Sequence, residues 1–64
     1  MVEKYPLLNE RDKTMFVFAK NGQFYGHIVK NRTAKAPAKF VFETEKYGST
    51  AELKAAYPED STSP

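Results

Sequence analysis

Cysteine and tryptophan are absent from these 64 residues, histidine occurs once, and glycine occurs three times. Without cysteine there is neither a disulfide framework nor a thiolate metal site. A lone imidazole, His27, is too few for a histidine-built metal centre. No glycine-rich phosphate cradle, metal-ligand spacing or nucleophile–base pair is present. A chain this short buries only about 60% of its unfolded surface, and seldom spares the roughly 300–1,000 Å³ of a ligand pocket. No catalytic residue, metal, cofactor or small-molecule substrate is therefore expected. Long apolar runs are missing too. Residues 1–14 are broken by Glu3, Lys4, Glu10, Arg11, Asp12 and Lys13, which leaves no signal-peptide core. Nothing approaches the roughly 20 apolar residues of a membrane span. The expected setting is the cytoplasm, away from membranes.

Aromatic residues are plentiful by contrast. Five Phe and four Tyr accompany a short list of aliphatics. Each ring buries about 150–250 Å², so rings can substitute for the missing Leu and Ile. The strongest local signal is Asn21-Gly22 between two apolar runs. Both residues tolerate the positive φ of a type I′ turn. Residues 15–20 and 23–30 then form a hairpin whose two-residue turn fixes the register. Phe18 faces Tyr25, Val17 faces Gly26, Phe16 faces His27 and Met15 faces Ile28. One side of the hairpin carries Met15, Val17, Ala19, Phe24, Gly26 and Ile28. The other carries Phe16, Phe18, Tyr25, His27 and Val29. The first is the more conventional core. On the second, Phe16 and Phe18 are expected beneath the helix, with Tyr25 and His27 at the rim. Gly26 marks a close approach of the helix or the N-terminal arm.

Residues 39–46 return to period two, with Phe40, Phe42 and Thr44 on one side and Val41, Glu43 and Glu45 on the other. Ser49-Thr50-Ala51-Glu52 is a capping-box pattern, opening a helix over 50–57 that Pro58 ends. Leu7-Leu8 reads as a small strand or an anchoring segment. The predicted fold is α+β: a small antiparallel sheet of three or four strands with one short C-terminal helix packed on it. Residues 1–58 form the single domain, and residues 59–64 a disordered tail.

The formal charge of +2 conceals a polarity. It is the balance of +1 over residues 1–29, +4 over 30–42 and −3 over 43–64. Lys30, Arg32, Lys35 and Lys39 lie in or beside a connecting loop, mobile when free, that holds no acid. Together with Tyr25 and His27 they form the expected partner-binding surface. Two functions fit. The favoured one is an accessory or inhibitory factor, of the sort carried by phages or mobile elements, docking on a larger protein assembly through the hairpin and basic loop. The alternative is a nucleic-acid module, with the 30–39 loop on phosphates and Tyr25 and His27 on bases. A net charge of only +2 and an acidic C-terminal third count against the alternative.

Overall fold

A computed structural model describes residues 1–60. Four antiparallel strands lie in chain order in one sheet. They are β1 (Glu3–Pro6), β2 (Lys13–Lys20), β3 (Gln23–Lys30) and β4 (Lys39–Glu43), and the helix α1 (Thr50–Ala56) follows them. The small α+β fold is as expected, with the fourth strand present. No helix among the described residues is long and apolar enough to cross a membrane.

The central hairpin forms because its turn is chemically suited to it. Asn21 and Gly22 take φ of 52° and 78°, the left-handed region that Asn and Gly enter at least cost. The register is the expected one throughout, from Met15 opposite Ile28 to Lys20 opposite Gln23. At its outer edge β2 pairs with β1, setting Tyr5 against Met15 and Lys4 against Phe16. The extra strand is thus residues 3–6 rather than Leu7-Leu8. Leu7 is the anchor: it is buried, and it bridges Glu59.

The core lies on one side of the sheet. Met15, Val17 and Leu53 are 0% exposed and Ile28 1%. Tyr5 and Leu7 complete the cluster, with Phe24, Tyr47 and Tyr57 packed around it. Helix α1 covers this side through Leu53, its buried residue. Ser49 caps it, accepting from the Glu52 amide at 3.2 Å. The Glu52 carboxylate reaches back one residue further than a simple capping box, accepting from Gly48 N–H at 2.8 Å.

Three expectations need correction. Phe16 and Phe18 do not lie beneath the helix, because α1 packs against β3 on the opposite side of the sheet, where Leu53 joins Met15, Val17 and Ile28 in the core. The close neighbour of Gly26 is neither helix nor arm but the Met15 thioether, which occupies the space a Cβ would take. Finally, β4 does not alternate regularly. Ile28 pairs with Phe42 and Val29 with Phe40, so Val41 is an extra residue at a bulge. Phe40 and Phe42 therefore face opposite sides. Beyond the bulge the chain still follows β3. Thr44 and Gly26 are joined by two hydrogen bonds of 2.8 Å, Thr44 N–H to Gly26 C=O and Gly26 N–H to Thr44 Oγ1. Tyr47 forms a bridge with Phe24.

The segment expected to be a loose tail begins in contact. Glu59 bridges Leu7, and Asp60 N–H donates to Pro6 C=O at 2.9 Å. The Asp60 carboxylate is 2.8 Å from Arg11 Nε. Residues 61–64 of that expectation lie outside the described residues.

Candidate functional site

Because side chains alternate across a strand, covering one side of this sheet leaves the other to solvent. Phe16 and Phe18 on β2, and Tyr25, His27 and Val29 on β3, are half-buried on this open face. The bulge adds Phe40, 55% exposed. The rings form a connected set. Phe18 stacks on Tyr25 with centroids 5.6 Å apart and an interplanar angle of 22°. His27 is 4.8 Å from Phe18 and 5.6 Å from Tyr25. Phe40 meets His27 edge-on at 5.3 Å. His27 Nε2 lies 2.8 Å from Glu43 Oε2, which fixes the tilt of the imidazole. Among the described residues no element packs on this face, which leaves a contiguous, half-exposed aromatic patch.

The margins of the face are polar. Lys4 and Thr14 share its side of β1 and β2, and Lys20 lies at its hairpin end. The Thr14 hydroxyl donates to Asn31 Oδ1 at 2.6 Å.

The structure separates the expected site residues into two groups. Tyr25 and His27 stand together on the open face. Lys30 and Lys39 are cross-strand partners at the other end of the hairpin, and strand alternation puts them on the helix side. Arg32 and Lys35 belong to the loop between β3 and β4, all of it exposed. This loop holds a compact turn: Thr33 N–H donates to Ala36 C=O at 2.8 Å, and Thr33 Oγ1 accepts from the Lys35 and Ala36 amides. Sequence reasoning missed Phe40, Lys4 and Lys20 as members of the surface. Lys20 was legible from its parity with Phe16 and Phe18. Lys4 needed the β1 register, and Phe40 needed the bulge.

Charge pairing is uneven. Each of the eight acidic side chains has a partner. Glu3 and Glu59 hold Lys54, Glu10 and Asp12 hold Lys13, Asp60 holds Arg11 and Glu43 holds His27. Glu45 accepts from the Tyr47 hydroxyl, and Glu52 from Gly48 N–H. The hydrogen bond that Lys13 donates to Glu10 holds its pKa above the ordinary value, and the one that Lys54 donates to Glu3 does the same there. Among the described residues Lys4, Lys20, Lys30, Arg32, Lys35, Lys39 and Lys46 have no acidic partner. Three cations, Arg11, Lys13 and Lys54, serve five of the acids, Glu43, Glu45 and Glu52 hold hydrogen bonds to His27, Tyr47 and Gly48, and seven of the ten cations have no acidic partner among the described residues.

Comparison with protein-family models, with curated proteins and with solved structures gave no match to this chain. Its function must be argued from the site itself.

Proposed function

We propose that this protein binds single-stranded nucleic acid, stacking bases on the open aromatic face and meeting phosphates with the free cations around it. One observation carries this reading: among the described residues no element covers a sheet face of contiguous rings, and seven of the ten cations have no acidic partner. It bears on the reading of these rings as core, while the formal charge stays at +2. The rings are not consumed by the core. Within the acidic C-terminal third, Glu59 and Asp60 are paired with Lys54 and Arg11, while Glu43, Glu45 and Glu52 keep their charge and accept hydrogen bonds from His27, Tyr47 and Gly48. Phe18, Tyr25, His27 and Phe40 supply stacking surface. Lys4, Lys20, Arg32 and Lys35 supply charge at the margins, and Lys30 and Lys39 extend that charge around the sheet end.

Fluorescence anisotropy with a labelled mixed-sequence strand of about 12 nucleotides tests this. Binding is expected to weaken steeply between about 50 mM and about 200 mM salt, as counterion release requires. Phe18→Ala with Tyr25→Ala is expected to weaken binding at least tenfold, given roughly 1–3 kcal/mol per stacked base. Replacing Lys4, Arg32 and Lys35 by Ala should flatten the salt slope by about two units, near 0.7 for each lost phosphate contact. Absence of binding at the lower salt overturns the reading and returns the open face to a protein partner.

A further inference from the structure

Glu43 is the one acid among the strand residues that the register sets on the open face. It stands opposite His27, the only histidine of the chain, and its Oε2 is 2.8 Å from His27 Nε2. The His27 and Glu43 side chains keep 33% and 58% of their surface exposed, so the pair exchanges protons with solvent. Rings meet the imidazole elsewhere. Phe16 faces it from β2, and Phe18 and Phe40 lie 4.8 Å and 5.3 Å away. Glu43 is thus the one charged group that an adjoining strand sets opposite His27. Tyr25, on the same strand at 5.6 Å, is the other titratable neighbour, and phenols titrate near pH 10.

The pair has two charge states. A carboxylate only accepts, so a neutral imidazole donates Nε2–H to Glu43 and keeps Nδ1 as an acceptor. The pair then carries one negative charge, in the middle of a surface read as meeting a polyanion. A protonated imidazole cancels that charge and turns Nδ1 into a donor. Nδ1 has no partner among the described residues, which leaves its N–H for a phosphate or base oxygen. Both changes favour an anionic strand, so proton binding and strand binding reinforce each other, as linkage requires. We infer that the His27–Glu43 pair is a proton switch on the open face, which makes single-stranded nucleic acid bind more tightly as pH falls through the imidazole range near 6.5. This rests on the nucleic-acid reading of the face and adds regulation to it.

Fluorescence anisotropy with labelled oligo-dT of about 12 nucleotides at one salt concentration tests this at about pH 5.5 and about pH 7.5. Thymine and phosphodiesters do not titrate between them, so a change of affinity belongs to the protein. Wild type is expected to bind about threefold to fivefold more tightly at the lower pH, the worth of one exposed charge contact. Carboxylates titrate near pH 4 and the N-terminal amine near pH 8. His27→Gln separates any share of theirs: it should bind more weakly for want of a ring, but equally at both pH values. Glu43→Gln still accepts from Nε2 and provides the second route should His27→Gln disturb the sheet. It should tighten binding at the higher pH by the same factor and keep the pH dependence, because the ring still takes up its charge. Wild-type affinity that is equal at both pH values, or tighter at the higher, overturns the switch and leaves nucleic-acid binding standing. A pH dependence that survives His27→Gln overturns it, as does Glu43→Gln binding no more tightly than wild type at the higher pH. No binding of oligo-dT at either pH overturns the switch together with the reading beneath it.

Discussion

The two sides of this sheet use the same strands and opposite residues, and they do different work. The closed side is tapered for a helix. Gly26 on β3 is small, α1 packs against that strand, and Leu53 reaches full burial. The open side carries a ring at nearly every position of the central pair: Phe16 and Phe18, facing His27 and Tyr25. Rings so placed pack against one another, edge and face, and leave their outer surfaces to solvent. Stability belongs to the first side, and recognition is the role we propose for the second. The comparison is broken by any substitution on one side that behaves as though it lay on the other.

The largest expected effect is at Leu53. Leu53→Ala removes the helix's one fully buried side chain and should cost about 2–5 kcal/mol. A domain of this size has only a few kcal/mol to lose, so thermal or urea unfolding should find the variant largely unfolded at room temperature. A stable variant would mean that the helix side is not where the stability resides. Gly26→Ala follows. The new methyl would collide with the Met15 thioether, and Met15 has no exposed surface into which to withdraw. A loss of about 1–3 kcal/mol is expected in urea denaturation. An unchanged midpoint would show that the closed side is looser than its burial implies.

How much of this was legible in the sequence follows from the kind of information each feature needs. The hairpin is local. Asn21-Gly22 names its own turn, and the turn fixes the register of both strands, so the membership of each side was readable residue by residue. Which side is covered is not local. Alternation sorts Phe16 from Val17 but says nothing of where α1 will lie. Size was the available clue: a small residue such as Gly26 admits a helix more closely than a ring does. The bulge at Val41 was invisible, because a period-two reading assumes that no residue is extra. Strand β1 was obscured by composition, its one buried ring at Tyr5 standing among Glu3, Lys4 and Pro6. The basic loop was found from charge alone. That the acids elsewhere are paired depends on long-range contacts such as Lys54 with Glu3, 2.6 Å, and Arg11 with Asp60.

The closed side also hides a titratable group. The Tyr5 hydroxyl donates to the Tyr57 carbonyl at 2.7 Å. Burial, then the nearby carboxylates of Glu3 and Glu59, push its pKa up to about 12. Below about pH 10 the phenol is neutral in the folded and unfolded chains alike, so pH has no leverage through it. Between about pH 10 and the folded value, the unfolded chain loses its proton first, and stability falls as pH rises. The loss approaches about 1.4 kcal/mol per pH unit at most within that window. Tyr5→Phe lowers the baseline by roughly 1 kcal/mol through the missing hydrogen bond and should flatten the fall across the window. An unaltered alkaline slope in Tyr5→Phe would remove Tyr5 from the closed side.

The smallest effects make the sharpest test, because they separate two neighbours of one kind. Phe40 and Phe42 are 55% and 42% exposed, and regular alternation would set them on the same side. The bulge sets them apart: Phe40 meets His27 on the open face at 5.3 Å, while Phe42 meets Tyr57 at 6.2 Å beside the helix. Phe42→Thr keeps a residue suited to a strand but gives up the aromatic contact, which points to a loss of about 0.5–1.5 kcal/mol with nucleic-acid affinity unchanged. Phe40→Thr should shift stability by no more than about 0.5 kcal/mol, as exposed substitutions usually do, and should weaken binding several-fold by taking one ring from the platform. Urea midpoints and anisotropy measured on both variants give four numbers, and the expected pattern is crossed. If both substitutions lower affinity alike and spare stability alike, Phe40 and Phe42 share a face, the bulge at Val41 is absent, and the boundary between the two sides of the sheet has been drawn in the wrong place.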